Sequence, residues 1–214
     1  MDGVLINTVH NGYLAREKLL NNYGVDLESI PGPQGENHRA ASLKNLLASV
    51  ELHSGIRIDY DEFASLSRER MREDLRTQNK SADQELARLL KELKKHGIPC
   101  AIVSSSHRES IDIKLEVLGI REYFSVIITG SDIAEHKPHP AAYLHAAKRL
   151  GAPPSDCIAI EDSLTGIESA LAAGCKVIEF TQHNTPRESS PHVMASIKSW
   201  DELSYARLND LYLG

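Results

Sequence analysis

The chain has 214 residues, 41% hydrophobic and 25% charged, with 24 Lys and Arg against 30 Asp and Glu for a formal charge of −6. That length and balance suit a soluble α/β domain, or one such domain with a modest insertion. The acidic charge and the lack of a basic run argue against a nucleic-acid partner; no apolar stretch reaches the roughly 18 residues of a membrane span, and no basic-then-apolar start suggests a secretory signal.

The chain opens Met1-Asp2-Gly3-Val4-Leu5-Ile6-Asn7-Thr8, an Asp-Gly pair running into apolar residues. Residues 9–80 then carry helical patterns only. Val9–Tyr23, His38–His53 and Tyr60–Thr77 have helical spacing, the last with Phe63, Leu66, Met71 and Leu75 along one side. Ile30-Pro31-Gly32-Pro33-Gln34-Gly35 forms a loop among them.

From about residue 82, helix and strand alternate. Ala82–His96 is an amphipathic helix with Ser81 as N-cap and Gly97 as its stop. Ile98–Val103 is a short buried strand ending at Ser104-Ser105-Ser106. Arg108–Leu118 is a helix closed by Gly119, Phe124–Ile128 a strand, and Ala141–Leu150 a helix closed by Gly151. Cys157–Ile160 is a strand, Leu164–Ala173 a helix closed by Gly174, and Lys176–Phe180 a strand. His192–Ile197 reads as an edge strand and Trp200 to about Leu211 as a last helix. Alternating βα units with short loops predict a parallel sheet covered by helices. Cys100, Cys157 and Cys175 show no paired spacing and read as reduced core cysteines of a cytoplasmic protein.

Chemistry-bearing residues recur just after predicted strands: Asp2-Gly3, Ser104, Lys137-Pro138 and Glu161-Asp162. Each alone has a plain structural reading. Asp-Gly is a turn, Ser104 a strand-end hydroxyl, Lys137 a solvated loop residue, and Glu161-Asp162 an acidic pair favoured at a helix start. Together, at the strand ends where α/β sheets bind ligands, they point to one site. Ser163 reads as an N-cap, and His136 and His139 as exposed residues near the rim.

This ordered set resembles the motifs of the haloacid dehalogenase superfamily. The phrase Glu161-Asp162-Ser163-x-x-Gly166-Ile167 and its spacing from Lys137 are most similar to the phosphatase and β-phosphoglucomutase branch. The similarity covers nearly the whole chain. It implies a Rossmann-like parallel-sheet core of residues 1–8 and 81–214, with residues 9–80 inserted as a helical type-1 cap. It also implies an Mg²⁺-dependent phosphatase that acts on a small phosphorylated metabolite, such as a sugar phosphate, through an aspartyl-phosphate.

The resemblance assigns roles residue by residue. The Asp2 side chain shuttles the proton, and its main-chain carbonyl joins Glu161 and Asp162 on the metal. Ser104, with the amide of Ser105, binds phosphate, and Lys137 adds positive charge. These are hard donors for Mg²⁺ and charge-stabilising groups for phosphoryl transfer. Arg39, in a cap loop around Gly35–Arg39, is a candidate for substrate contact, with a surface salt bridge as its alternative. Asp2 also favours phosphate over halide chemistry, since halide needs no proton. Asp2 matches the second Asp of the opening motif, so the attacking Asp, on an apolar strand, is expected ahead of Met1. Residues 1–214 alone are then expected to be slower by about 10⁴–10⁶.

Some positions depart from the mutase pattern. Gly12 stands where those relatives carry His, with His10 out of register; Asn7 and Ala141 replace acidic residues. These departures favour the phosphatase over a phosphomutase. A non-catalytic phosphometabolite binder is the alternative of another class. A monomer or weak homodimer is expected.

Overall fold

The helical patterning between residues 9 and 80 takes the form of α1 (Val9–Asn22), α2 (Leu43–Ser54) and α3 (Tyr60–Thr77) in the computed structural model. The structure describes the chain except residues 2, 7–8, 33–37, 39–40, 78–81, 182–191 and 214. Asp2, Arg39, Asn7, the Ser81 cap and most of the Gly35–Arg39 loop therefore lie outside the described residues. The second helix starts at Leu43 and not at His38, because the Ser42 hydroxyl accepts the Asn45 amide at 3.2 Å and fixes the start there. Gly55, at φ 72°, ends it. Leu20, Val25, Leu46, Val50 and Phe63 form the buried core of this unit, which spans Asn7–Lys80.

The second unit comprises Met1–Ile6 and Ser81–Gly214. Its elements are α4 (Gln84–Lys95), β1 (Cys100–Val103), α5 (Arg108–Val117), β2 (Phe124–Ile128), α6 (Ala141–Leu150), β3 (Ile158–Glu161), α7 (Leu164–Ala172), β4 (Lys176–Phe180), β5 (Ala195–Ile197) and α8 (Tyr205–Leu213). α4 starts at Asp83, whose carboxylate accepts the amides of Glu85 and Leu86 at 2.8 and 3.3 Å. The predicted last helix is broken. Trp200–Glu202 is a 3₁₀ turn, Leu203 is extended, and α8 begins afresh where the Glu92 carboxylate accepts the Tyr205 amide at 3.1 Å.

The strand ladders among the described residues are parallel. Val103 lies opposite Ile128, Glu161 opposite Glu179, and Phe180 opposite Ile197. Among the described residues, however, the strands form two sheets where the alternation predicts one: β1-β2 and β3-β4-β5. Residues of both β1 and β3 line one cavity of about 540 Å³ between these sheets. No described helix is long and apolar enough to cross a membrane.

Candidate active site

Strand ends carry the acidic pair and the serine. Ser104 directly follows β1, Glu161 is the last residue of β3, and Asp162 follows it. Ser104 is buried; its amide donates to Ile128 at 3.0 Å and its hydroxyl accepts the Ser106 amide at 3.2 Å. Ser105 beside it is exposed. The loop after β2 brings Lys137 back onto β3, where its ammonium forms an ion pair with Glu161. That loop is tied down by α7, since the buried Ser169 hydroxyl donates to the His139 carbonyl at 2.7 Å. His136 and His139 are exposed.

Glu161 is only 3% exposed and is satisfied on both oxygens. Oε1 takes the Lys137 ammonium and the Tyr143 hydroxyl; Oε2 takes the Ser163 hydroxyl at 3.5 Å. Lys137 also lies 3.4 Å from the Tyr143 hydroxyl. Burial pushes the Glu161 carboxyl up. The Lys137 charge, the Met1 amino group and the hydrogen bonds from Lys137 and Tyr143 outweigh it and hold Glu161 below the usual Glu range. Tyr143 is driven up by burial, then by the Glu161 charge and hydrogen bond, so its phenol stays a donor. Asp162 is raised by burial. The Met1 amino group opposes that shift, and the neighbouring Glu161 charge reinforces it.

Glycines make room for these groups. Gly3 has φ 78°, and a Cβ there would lie 1.9 Å from Asp162 Oδ2. A Cβ on Gly166, in the first turn of α7, would lie 2.3 Å from the Glu161 carboxyl, and one on Gly130 would lie 2.7 Å from the Ser105 carbonyl oxygen. Backbone thus packs directly against the motif residues where any other side chain would displace them. Ser163 is the N-cap of α7, accepting the Gly166 amide at 3.1 Å.

Adjacent carboxylates are the hard oxygen donors Mg²⁺ prefers. Burial disfavours the ionised form of Asp162, and a divalent cation would relieve that penalty, so Glu161 and Asp162 fit such an ion. Among the described residues, no group of three or more His, Cys, Asp and Glu forms a metal cluster on its own.

Comparison with known proteins fixes the family. The model for haloacid dehalogenase-like hydrolases matches residues 1–180. The chain belongs to this hydrolase family. The bifunctional riboflavin kinase/FMN phosphatase of Arabidopsis thaliana is 46% identical over 92 residues, 42% of this chain and 24% of that protein. Phosphoglycolate phosphatase of Escherichia coli K12 is 37% identical over 89 residues, 42% of this chain and 35% of that one. The chain thus spans less than half the length of the first curated relatives it matches. Among solved structures, a mutant of CbbY from Rhodobacter sphaeroides in complex with xylulose-(1,5)bisphosphate superposes with a TM-score of 0.78 at 25% identity, over 96% of this chain and 95% of that one.

Within this haloacid dehalogenase-like hydrolase, the structure brings Lys137 onto Glu161, Gly3 beside Asp162, and Gly130 beside Ser105. Ser104 bonds to its own strand pair and turn instead of to the acidic pair. Sequence reasoning missed Tyr143 and Ser169. Tyr143 sits among Ala142, Ala146 and Ala147 on the buried stripe of α6, and a lone hydroxyl-bearing residue in that stripe was the available signal.

Proposed function

We propose that the chain is an Mg²⁺-dependent phosphoric monoester hydrolase of the cytoplasm, acting on a small phosphorylated metabolite of the sugar-phosphate class. The observation that carries this reading is the Lys137–Glu161–Asp162 cluster at the end of β3, near which only glycine is accommodated. A sugar bisphosphate in the CbbY relative supports the substrate class. Asp162 is the better placed direct metal ligand, since the Glu161 oxygens already accept from Lys137, Tyr143 and Ser163. Bound Mg²⁺ would neutralise charge between phosphate and an attacking carboxylate. Ser104 and the Ser105 amide would hold phosphoryl oxygens, Lys137 would add charge, Asp2 would move the proton, and Arg39 would contact the substrate.

The test is a panel of small phosphate monoesters assayed for phosphate release with and without Mg²⁺. It uses residues 1–214 and an extended chain in which a segment ending in Asp is fused ahead of Met1. The extended chain is expected to release phosphate only with Mg²⁺, and Asp162→Asn to abolish that release. Conversion of a hexose 1-phosphate to its isomer without free phosphate would establish the mutase instead. Tight binding without turnover by the extended chain would establish a binder.

A further inference from the structure

The starts of β3 and β4 bring two of the three cysteines together. Ile158 lies opposite Lys176, and the Lys176 amide donates to the Cys157 carbonyl at 3.0 Å, so the ladder runs back one residue. Cys157 is itself extended, with φ −102° and ψ 137°. In that register Cys157 stands beside Cys175. Side chains alternate between the faces of a strand, and the packing agrees. Cys157 and Ala159 meet the same apolar cluster as Cys175 and Val177, together with Ile167, Ala170 and Ala173. The two thiols therefore share one face of the sheet. Cys175 is buried and Cys157 half-buried, so the pair is reached from the Cys157 side. Cys100 opens β1, in the other sheet.

Spacing decides what the pair can hold. Neighbouring strands lie about 4.8 Å apart, and Cβ atoms that face the same way are about as far apart. A disulfide draws its Cβ atoms in to about 3.8 Å, so a direct link would distort the ladder. Two sulfurs that share one bridging atom, with bonds of about 2.3 Å as in Zn–S, stand nearly 4 Å apart and ask for less. Zn²⁺ itself needs four ligands, and among the described residues no group of three or more His, Cys, Asp and Glu could hold a metal. Burial also pushes both thiols up, so they carry their protons at neutral pH. A ligand for this pair must bind two sulfurs and take away two protons. A trivalent arsenical with two hydroxyls does both.

We propose that Cys157 and Cys175 form a dithiol site for a monosubstituted trivalent arsenical, R–As(OH)2. Two As–O bonds break and two As–S bonds form. Each thiol proton leaves with a hydroxyl as water, and arsenic stays trivalent, so no oxidant enters. The bridge ties β3 to β4 at their amino ends, away from the acidic pair at the carboxyl end of β3. It rests on strand register and thiol chemistry and not on the phosphatase reading.

Phenylarsine oxide, which hydrates to this form, is the probe; it is added to residues 1–214 and followed by intact mass. The expected product carries one phenylarsenic group in place of two hydrogens and melts at a higher midpoint. It should survive an excess of monothiol and be stripped by a dithiol, because the second As–S bond is intramolecular. Cys100→Ala leaves only Cys157 and Cys175 and should capture the probe as the parent does. Cys175→Ala, checked for its fold by far-UV dichroism, should hold the probe at least about a hundredfold more weakly. Cys100→Ala keeps both members of the pair, so that arm decides even if Cys175→Ala fails to fold. The absence of an adduct, an adduct that monothiol removes, or loss of capture in Cys100→Ala would overturn the proposal. Undiminished capture by folded Cys175→Ala would overturn it as well. Phosphate release is not read, so a failed phosphatase assay leaves this result standing.

Discussion

A methyl group at position 166 sets two effects against each other. Ala is favoured over Gly by about 1 kcal/mol in a helix interior and by less in the first turn, where Gly166 sits. At Gly166 the added Cβ would meet the Glu161 carboxyl at 2.3 Å, and Glu161 is buried and already fixed by Lys137 and Tyr143. Overpacking of that kind costs about 1–3 kcal/mol, so the clash should win. Gly166→Ala is expected to lose about 1–2 kcal/mol in urea unfolding, and a stabilised variant would contradict the packing described. Tyr143→Phe removes one hydroxyl bond to Glu161 and should lose about 1 kcal/mol. Lys137→Met removes the cation of a buried pair and should lose about 3–5 kcal/mol, measured the same way. Cysteine chemistry has a readable pH sign. Burial pushes the thiols of Cys100 and Cys175 up from 9.0 to about 11. The fold therefore favours their neutral forms. That contribution is complete below pH 9.0 and is lost as pH rises towards about 11, because the unfolded chain ionises first. Native Cys175 should thus react with iodoacetamide far more slowly at about pH 8 than in denaturant, and rates that match would refute the shift. At this scale the places of Ser104, Glu161 and Asp162 at strand ends were legible in the sequence, since that spacing is local. The sequence did not show Tyr143 or the need for glycine at position 166, because both depend on what lies opposite in space.

Elements were most legible where apolar period and stop signals coincide. Phe124–Ile128, Ala141–Leu150 and Lys176–Phe180 have the expected bounds. Boundaries moved where a side chain or a distant carboxylate decides them. Asp83 opens α4, Ser42 opens α2, and Glu92 reaches across from α4 to the start of α8. A cap is a single hydrogen bond, so several nearby residues of the Ser/Asp type could serve from sequence alone. Ser42→Ala is expected to cost about 1 kcal/mol, read as a lower midpoint in the far-UV circular dichroism melt. An unchanged midpoint would show that the Asn45 amide has another partner.

At the scale of the whole chain, alternation of helix and strand announced parallel pairing but not how many sheets it makes. Strand neighbours are chosen by long-range contact, and the β1–β3 cavity divides what alternation alone joins. Each unit buries hydrophobic residues of its own. Phe63 is fully buried with Leu20, Val25, Leu46 and Val50 in the Asn7–Lys80 unit. Trp200 packs on Phe180, with ring centroids 5.0 Å apart, in the unit that holds both sheets. Truncating a buried Phe to Ala costs about 3–5 kcal/mol, and that loss belongs to the core that contained the ring. Both units contribute helix to the far-UV dichroism, whereas Trp200 emission reports the α/β unit alone. Phe63→Ala is therefore expected to lower the early part of the dichroism melt and leave the Trp200 transition in place. If both signals drop together by the same amount, the two cores unfold as one cooperative body and the loss is shared between them.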